Sequence, residues 1–155
     1  MKKFFVFAVA VITIIACNNG DKKITGKEIT IPATTADSLM EEVMDGHNEG
    51  MAKMGKISAM QEKVQHALDS IAALPAKVQD AMEPYKRKLN GMIEDLKSAK
   101  DDMYKWMDEF NRDSAVNDLQ QRINYLTEEK LKVSKVKESI LSTLQKADSL
   151  INARF

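Results

Sequence analysis

"LNGMIEDLKSAKDDMYKWMDEF", from Leu89 to Phe110, decides the fold. Its apolar residues fall at Leu89, Met92, Leu96, Ala99, Met103, Trp106 and Phe110, with gaps of three and four in alternation. Side chains so spaced line one face of an α-helix, whereas a half-buried strand would place them at every second position. The stripe reaches back through Tyr85 and Met82 to Val78. A narrow seam of this kind is what a helical bundle or a coiled coil buries.

The same rhythm recurs on both sides. Before it come Met40, Met44, His47, Met51, Met54, Ile57, Met60, Val64, Leu68 and Ile71, and after it Leu119, Ile123, Leu126, Val133, Ile140, Leu144, Ala147 and Ile151. Lys130 and Lys137 interrupt the third stripe, and Leu131 and Val136 are expected to take over as it drifts. Proline removes an amide donor and disfavours helix at the residue before it, so Leu74-Pro75 predicts a turn. "NRDS", Asn111 to Ser114, predicts the second break. Because the second stripe keeps phase across Pro84, a kinked helix is favoured there over a late start. Asp37 or Ser38 is placed to cap the first helix, with Glu41 and Glu42 near its positive end, and Asp113 or Ser114 to cap the third. Exposed pairs such as Glu49-Lys53, Glu83-Arg87, Asp101-Lys105, Asp118-Arg122 and Glu128-Lys132 sit acid-first at i,i+4, the favourable orientation on solvated faces.

Three segments of roughly 35 residues joined by short breaks fold back most simply as an all-α, antiparallel three-helix bundle, up-down-up, about 50 Å long. That bundle is expected to occupy residues 37–155. The competing arrangement is a long intermolecular coiled coil. Pro75 and the 111–114 break argue against continuous rods.

The N-terminus has a different character. Lys2 and Lys3 precede an unbroken apolar run, Phe4 to Ile15, then Ala16 and Cys17. The run is too short to cross about 30 Å of hydrocarbon and has the length of a signal-peptide core. Cleavage after Ala16 by an ordinary signal peptidase would put Ile14 at −3, where a small residue is wanted. Ile14-Ile15-Ala16-Cys17 instead resembles a bacterial lipobox; the resemblance implies cleavage before Cys17, lipidation of its sulfur and acylation of the new amino group. A plain signal peptide or an uncleaved anchor is the alternative. Two or more acyl chains anchor stably where one is marginal. Cys17 is the only cysteine, so lipidation leaves no thiol for disulfide, zinc or nucleophilic chemistry.

Residues 1–16 are therefore expected to be a signal peptide, and residues 17–36 a lipidated cysteine with a flexible tether. The stretch is polar and Thr-rich, with Gly20, Gly26 and Pro32, and about 20 flexible residues span roughly 25 Å. "KEITIP" could pair only briefly as a strand. Losing Met1–Ala16 removes Lys2 and Lys3 and no acid, leaving 21 basic against 23 acidic residues, a net charge of −2. Acids and bases interleave with no basic stripe, so nucleic acid is not an expected partner. Asn18 is not the aspartate of an inner-membrane retention signal, so the expected location is the cell envelope, at the outer membrane. Either face of that membrane remains open.

One stretch departs from the helical monotony. "DGHNEGMAKM", Asp45 to Met54, sets His47 among glycines and methionines. With a turn near residue 74, first- and second-helix positions pair where their numbers sum to about 148, setting His47 opposite Asp101–Met103 and Met40 and Met44 opposite Tyr104–Asp108. Met40, Met44, His47, Met51, Met103, Trp106 and Met107 then gather at one end. Thioethers and imidazole suit Cu(I) or Ag(I), and a tryptophan face attracts a cation. The candidate metal ligands are His47, Met44, Met51, Met103 and Met107. The residue types are similar to those of periplasmic copper- and silver-binding chaperones, which are β-barrels. The plainer reading is core: methionine fills gaps, a methionine stripe at helical spacing is ordinary packing, and His47 would bond Asp101 or Asp102. Gly46 and Gly50 each cost about 1 kcal/mol inside a helix, which points to close backbone approach or to an interruption. His66 lies off the stripe, in solvent.

No Gly-x-Ser-x-Gly elbow, phosphate-cradling loop or His-Glu-x-x-His is present, and Met44 stands where a di-iron Glu-x-x-His would need glutamate. No enzymatic activity and no obligatory cofactor are expected. "HNEGMAKMGKI" (47–57), "MYKWMDEF" (103–110) and "YLTEEKLKVSKVKESI" (125–140) resemble small uncharacterised lipoproteins of gram-negative bacteria, some labelled "viral A-type inclusion protein". That resemblance implies a lipid-anchored helical domain and carries over no functional residue. The expected function is a non-enzymatic envelope lipoprotein serving structure or protein interaction, with the membrane and an envelope protein as partners. A periplasmic soft-metal carrier is the alternative.

Overall fold

The structure, a computed structural model, describes residues 34–153. The expected signal peptide, Cys17 and nearly all of the expected tether lie outside the described residues. Every regular element within them is helical: α1 (Thr35–Met51), α2 (Met54–Ala72), α3 (Ala76–Ala81), α4 (Glu83–Glu109) and α5 (Leu119–Asn152). Five helices thus stand where spacing predicted three, the added boundaries falling at Ala52-Lys53 and at Met82.

Helix α1 begins before Asp37, because Thr34 is its N-cap. The Thr34 hydroxyl accepts the Asp37 amide at 3.1 Å, and an Asp37 carboxylate oxygen accepts the Thr34 amide at 3.0 Å. This reciprocal capping box satisfies two amides that the helix itself cannot. Residues 34–36, expected in the tether, therefore belong to the helical unit, and Ala36 is buried in it.

The break after α1 is slight. Ala52 and Lys53 keep right-handed backbone angles, with Lys53 donating to Gly50 O at 2.9 Å in a tightened turn. The buried stripe crosses it in phase: Val43, Gly46 and Gly50, then Met54, Ile57, Met60, Val64 and Ile71. On α1 this corrects the sequence-based face by one position. Met40, Met44, His47 and Met51 flank the stripe and are half-buried, while the centre is Val43 and two glycines.

Pro75 turns the chain as expected. Gln79 caps the spent end of α2, its amide donating to Ala72 O at 2.9 Å and Leu74 O at 2.7 Å. Pro84 does not kink a continuous helix. It occupies the first turn of α4, where its missing amide has no intrahelical partner to lose. The α4 stripe is the predicted one: Leu89, Met92, Leu96, Ala99, Met103 and Trp106 are buried.

The second break runs longer than Asn111–Ser114, to Asp118. Ala115 adopts a left-handed φ of 55°, and Asp118, not Asp113 or Ser114, caps α5 by accepting the Gln121 amide at 3.0 Å. The α5 stripe does not drift: Leu126, Glu129, Val133, Ile140, Leu144 and Ala147 are buried, while Leu131 stays 59 % exposed. Lys130 and Lys137 do not interrupt it, because each lies beside the stripe and reaches out to an acid on α1.

Pairings between helices fix their directions. Lys130 meets Glu42 at 2.7 Å and Lys137 meets Glu49 at 3.1 Å, a seven-residue step on each helix, so α1 and α5 run parallel. Trp106 with Glu129 and Tyr85 with Leu150 share a number sum of 235, so α4 runs against α5. Gly50 with Met103 and His47 with Trp106 share a sum of 153, so α4 also runs against α1.

The glycines explain how close α1 comes. A Cβ on Gly46 would sit 3.0 Å from Val133 Cγ1, and one on Gly50 would overlap Met103 Cε and lie 3.5 Å from Ile140 Cδ1. Close approach and a nearby interruption, the two readings open for these glycines, both occur.

Candidate functional site

The last turn of α4 lies along the middle of α1, and there the molecule gathers its unusual chemistry. Trp106 sits on the inward stripe of α4 and is buried. Its indole N–H donates to Glu129 Oε2 at 2.9 Å, and Glu129, on the inward stripe of α5, is only 4 % exposed. The other carboxylate oxygen accepts from Lys132 Nζ at 2.8 Å. A charge withdrawn from water needs partners of this kind. The hydrogen bond to Glu129, reinforced by its charge, holds the Lys132 ammonium pKa above the ordinary lysine value.

Other rings pack around the indole. Phe110 stacks on it at 4.9 Å between centroids and 19°, and Tyr125 continues the row at 6.2 Å and 13°. The Tyr125 hydroxyl accepts the Asn111 amide at 2.7 Å, pinning the chain where α4 ends. His47 is a further neighbour of the indole, 5.7 Å away between centroids and tilted by 38°. Such tilted and offset geometries are those favoured by ring quadrupoles.

His47 does not bond Asp101 or Asp102. Its Nδ1 lies 3.1 Å from Asn48 Oδ1, and in the Nδ1–H tautomer that this acceptor favours the lone pair is on Nε2. Nor does it face Asp101–Met103, because the observed pairing sum is 153 rather than 148. Pro75 and α3 lengthen the reversal between α2 and α4, so its centre moves from residue 74 to between 76 and 77.

Met44, His47, Trp106, Met107, Phe110 and Arg112 line an open cavity of about 220 Å³. Three of the five sequence-predicted ligands therefore meet here: Met44 and His47 from α1, and Met107 from α4. The other two do not. Met103 is fully buried over Gly50, in the space the missing side chain leaves, and Met51 packs at the edge of the core. Among the described residues, no three His, Cys, Asp or Glu side chains come together to hold a metal ion.

Sequence reasoning missed Glu129, Asn48 and Arg112. Glu129 had a signal, since it stands three residues after Leu126 and four before Val133, on their face. Arg112 had none, because its place depends on the path of the loop.

Comparison of the chain with protein-family models, with curated proteins and with solved structures found no match.

Proposed function

We propose that this chain is a lipid-anchored, non-enzymatic helical module of the bacterial cell envelope that binds an envelope protein partner. The observation that carries the proposal is the order at the N-terminus: Lys2-Lys3, the apolar run to Ile15, then the chain's single cysteine at position 17. Thr34, where α1 is capped, follows Cys17 by 17 residues, a number that would span roughly 23 Å as a random coil. That length lets the helical unit stand clear of lipid headgroups while remaining tethered. Among the described residues no helix is long and apolar enough to cross a membrane. Attachment in this reading is through Cys17.

In the same proposal α1 and α2 act as one interrupted rod, α4 as the second and α5 as the third, an up-down-up bundle. The constant pairing sums along α4 and the constant offset between α1 and α5 support it. The resemblance of the 47–57, 103–110 and 125–140 stretches to small gram-negative lipoproteins supports the same assignment. Asn18 after the cysteine favours sorting to the outer membrane.

Metabolic labelling with a fatty acid tests the anchor. The wild-type chain takes up label and Cys17→Ala does not; undiminished labelling of the variant overturns the assignment. Crosslinking of the lipidated form in cells should capture the partner. Substantial substrate turnover by the purified protein would overturn the non-enzymatic part.

A further inference from the structure

We propose that Met44, His47 and Met107 form a binding site for a soft monovalent cation, Cu(I) or Ag(I), roofed by the face of Trp106. The inference is independent of the lipid anchor. It rests on four observations at one place.

First, the donors converge. Met44 and His47 are three residues apart on α1, hence neighbours on one face, and Met107 comes from α4 to line the same cavity. All three are outside the core stripe: Met44 and His47 are half-buried and Met107 is 39 % exposed, so their donor atoms can move without unpacking the interior. A thioether filling a gap in the core, as Met103 does, has no such freedom.

Second, the imidazole is set for coordination. Asn48 Oδ1 lies 3.1 Å from Nδ1, placed to accept from an Nδ1–H and so to favour the tautomer whose Nε2 lone pair is free to coordinate. Metal-bound histidines are oriented in this way by a hydrogen bond to the other ring nitrogen.

Third, the indole is held still. Its N–H is tied to buried Glu129, and Phe110 backs it at 4.9 Å. The histidine ring lies 5.7 Å from the indole, and both line the cavity, so an ion held there has a tryptophan ring, which attracts cations, as a neighbour.

Fourth, the lining selects the ion. It contains no carboxylate, and Arg112 adds a positive charge. Hard divalent ions require oxygen donors and lose more beside a guanidinium than a monovalent ion does. Two thioethers and an imidazole are neutral and soft, the donor set that favours Cu(I) and its redox-inert stand-in Ag(I).

Silver nitrate titrated into the full chain in detergent tests the site. Trp106 is the sole tryptophan, so its fluorescence reports this cavity and nothing else. We expect saturable, one-to-one quenching at micromolar concentration or below. Met44→Leu and Met107→Leu should each weaken binding by about tenfold or more, while Met51→Leu and Met103→Leu should leave it within about twofold; leucine replaces methionine with little loss of packing. Asn48→Leu should weaken binding about tenfold through the loosened imidazole, and Asn48→Asp, which keeps an acceptor, should restore it. Circular dichroism of each variant reports whether the helices persist. No saturable quenching by Ag(I), equal quenching by Zn(II), or unchanged affinity in folded Met44→Leu and Met107→Leu overturns the proposal.

Discussion

Trp106 and Glu129 are joined by a hydrogen bond of 2.9 Å at a depth where the carboxylate is only 4 % exposed. The bond ties α4 to α5 and sets the plane of the indole from which the aromatic row extends. Trp106→Phe keeps a ring but leaves a buried carboxylate oxygen without its donor, a loss of about 1–3 kcal/mol. Adding Glu129→Leu removes the stranded charge and should recover most of that loss, since apolar replacement of a buried polar pair is often neutral. Urea unfolding of wild type, Trp106→Phe and the double variant measures both steps. A single variant as stable as wild type would show the bond contributes nothing.

The glycines should respond in opposite directions to one substitution. Alanine is a better helix former by about 1 kcal/mol, so Gly91→Ala and Gly55→Ala, whose added Cβ meets nothing within 4 Å, should stabilise by up to that amount. Gly46→Ala drives a methyl against Val133, a side chain stiff at χ1, and Gly50→Ala displaces the buried end of Met103. Overpacking of about 1–3 kcal/mol outweighs the propensity gain, so both should lower the melting temperature. Val133→Ala should rescue Gly46→Ala and leave Gly50→Ala unimproved.

The cap of α1 carries a pH signature. Hydrogen bonds from the Thr34 hydroxyl and then the Thr34 amide lower the Asp37 pKa from its ordinary 3.8. A depressed folded-state pKa contributes stability above the ordinary value and loses it as pH falls through the folded value. Thr34→Ala should cost about 1 kcal/mol at neutral pH. The gap in melting temperature between variant and wild type should then narrow as pH drops below 3.8. A constant gap down to pH 2 would separate the cap from this carboxylate.

The parallel register of α1 and α5 is open to charge reversal. Glu49→Lys places two ammonium groups where Lys137 now meets a carboxylate at 3.1 Å, and Lys137→Glu on the same chain restores the pair inverted. The single change should cost under about 1 kcal/mol, because Glu49 is exposed, and the double should return most of it. If the two changes are merely additive, the residues do not meet.

The helices were legible where large apolar residues mark the buried face. On α4 the predicted stripe from Leu89 to Trp106 is the observed one, and on α2 it runs from Met54 to Ile71, with Leu68 only partly buried. The α1 face was misplaced because its centre is glycine: Gly46 and Gly50 carry no hydrophobic signal, so the flanking Met40, Met44, His47 and Met51 drew the stripe one position aside. Glu129 was hidden for the converse reason, a charge occupying a core position because an indole and a lysine satisfy it. The exposed ion pairs were poorly legible: Glu83 takes Lys86, Lys105 takes Glu109, and Glu49 takes Lys137 on another helix, since weak pairs rearrange freely in water. Met44, His47 and Met107 line one cavity although the register that spacing implies is five residues off. Met51 and Met103 were included because spacing cannot tell a half-buried thioether from a buried one.

Because α1 runs beside α5, the first of the described helices to be synthesised rests against the last. Gly46 has to wait for Val133, 87 positions later, which at biosynthetic rates is on the order of ten seconds. Throughout that interval Gly46 lacks the side chain that covers it, although Met103 of α4 is already there for Gly50, and a nascent chain stalled before residue 126 should be cut by protease between 35 and 51. Slow closure of the longest loop, more than formation of any one helix, then sets the pace at which the protein matures.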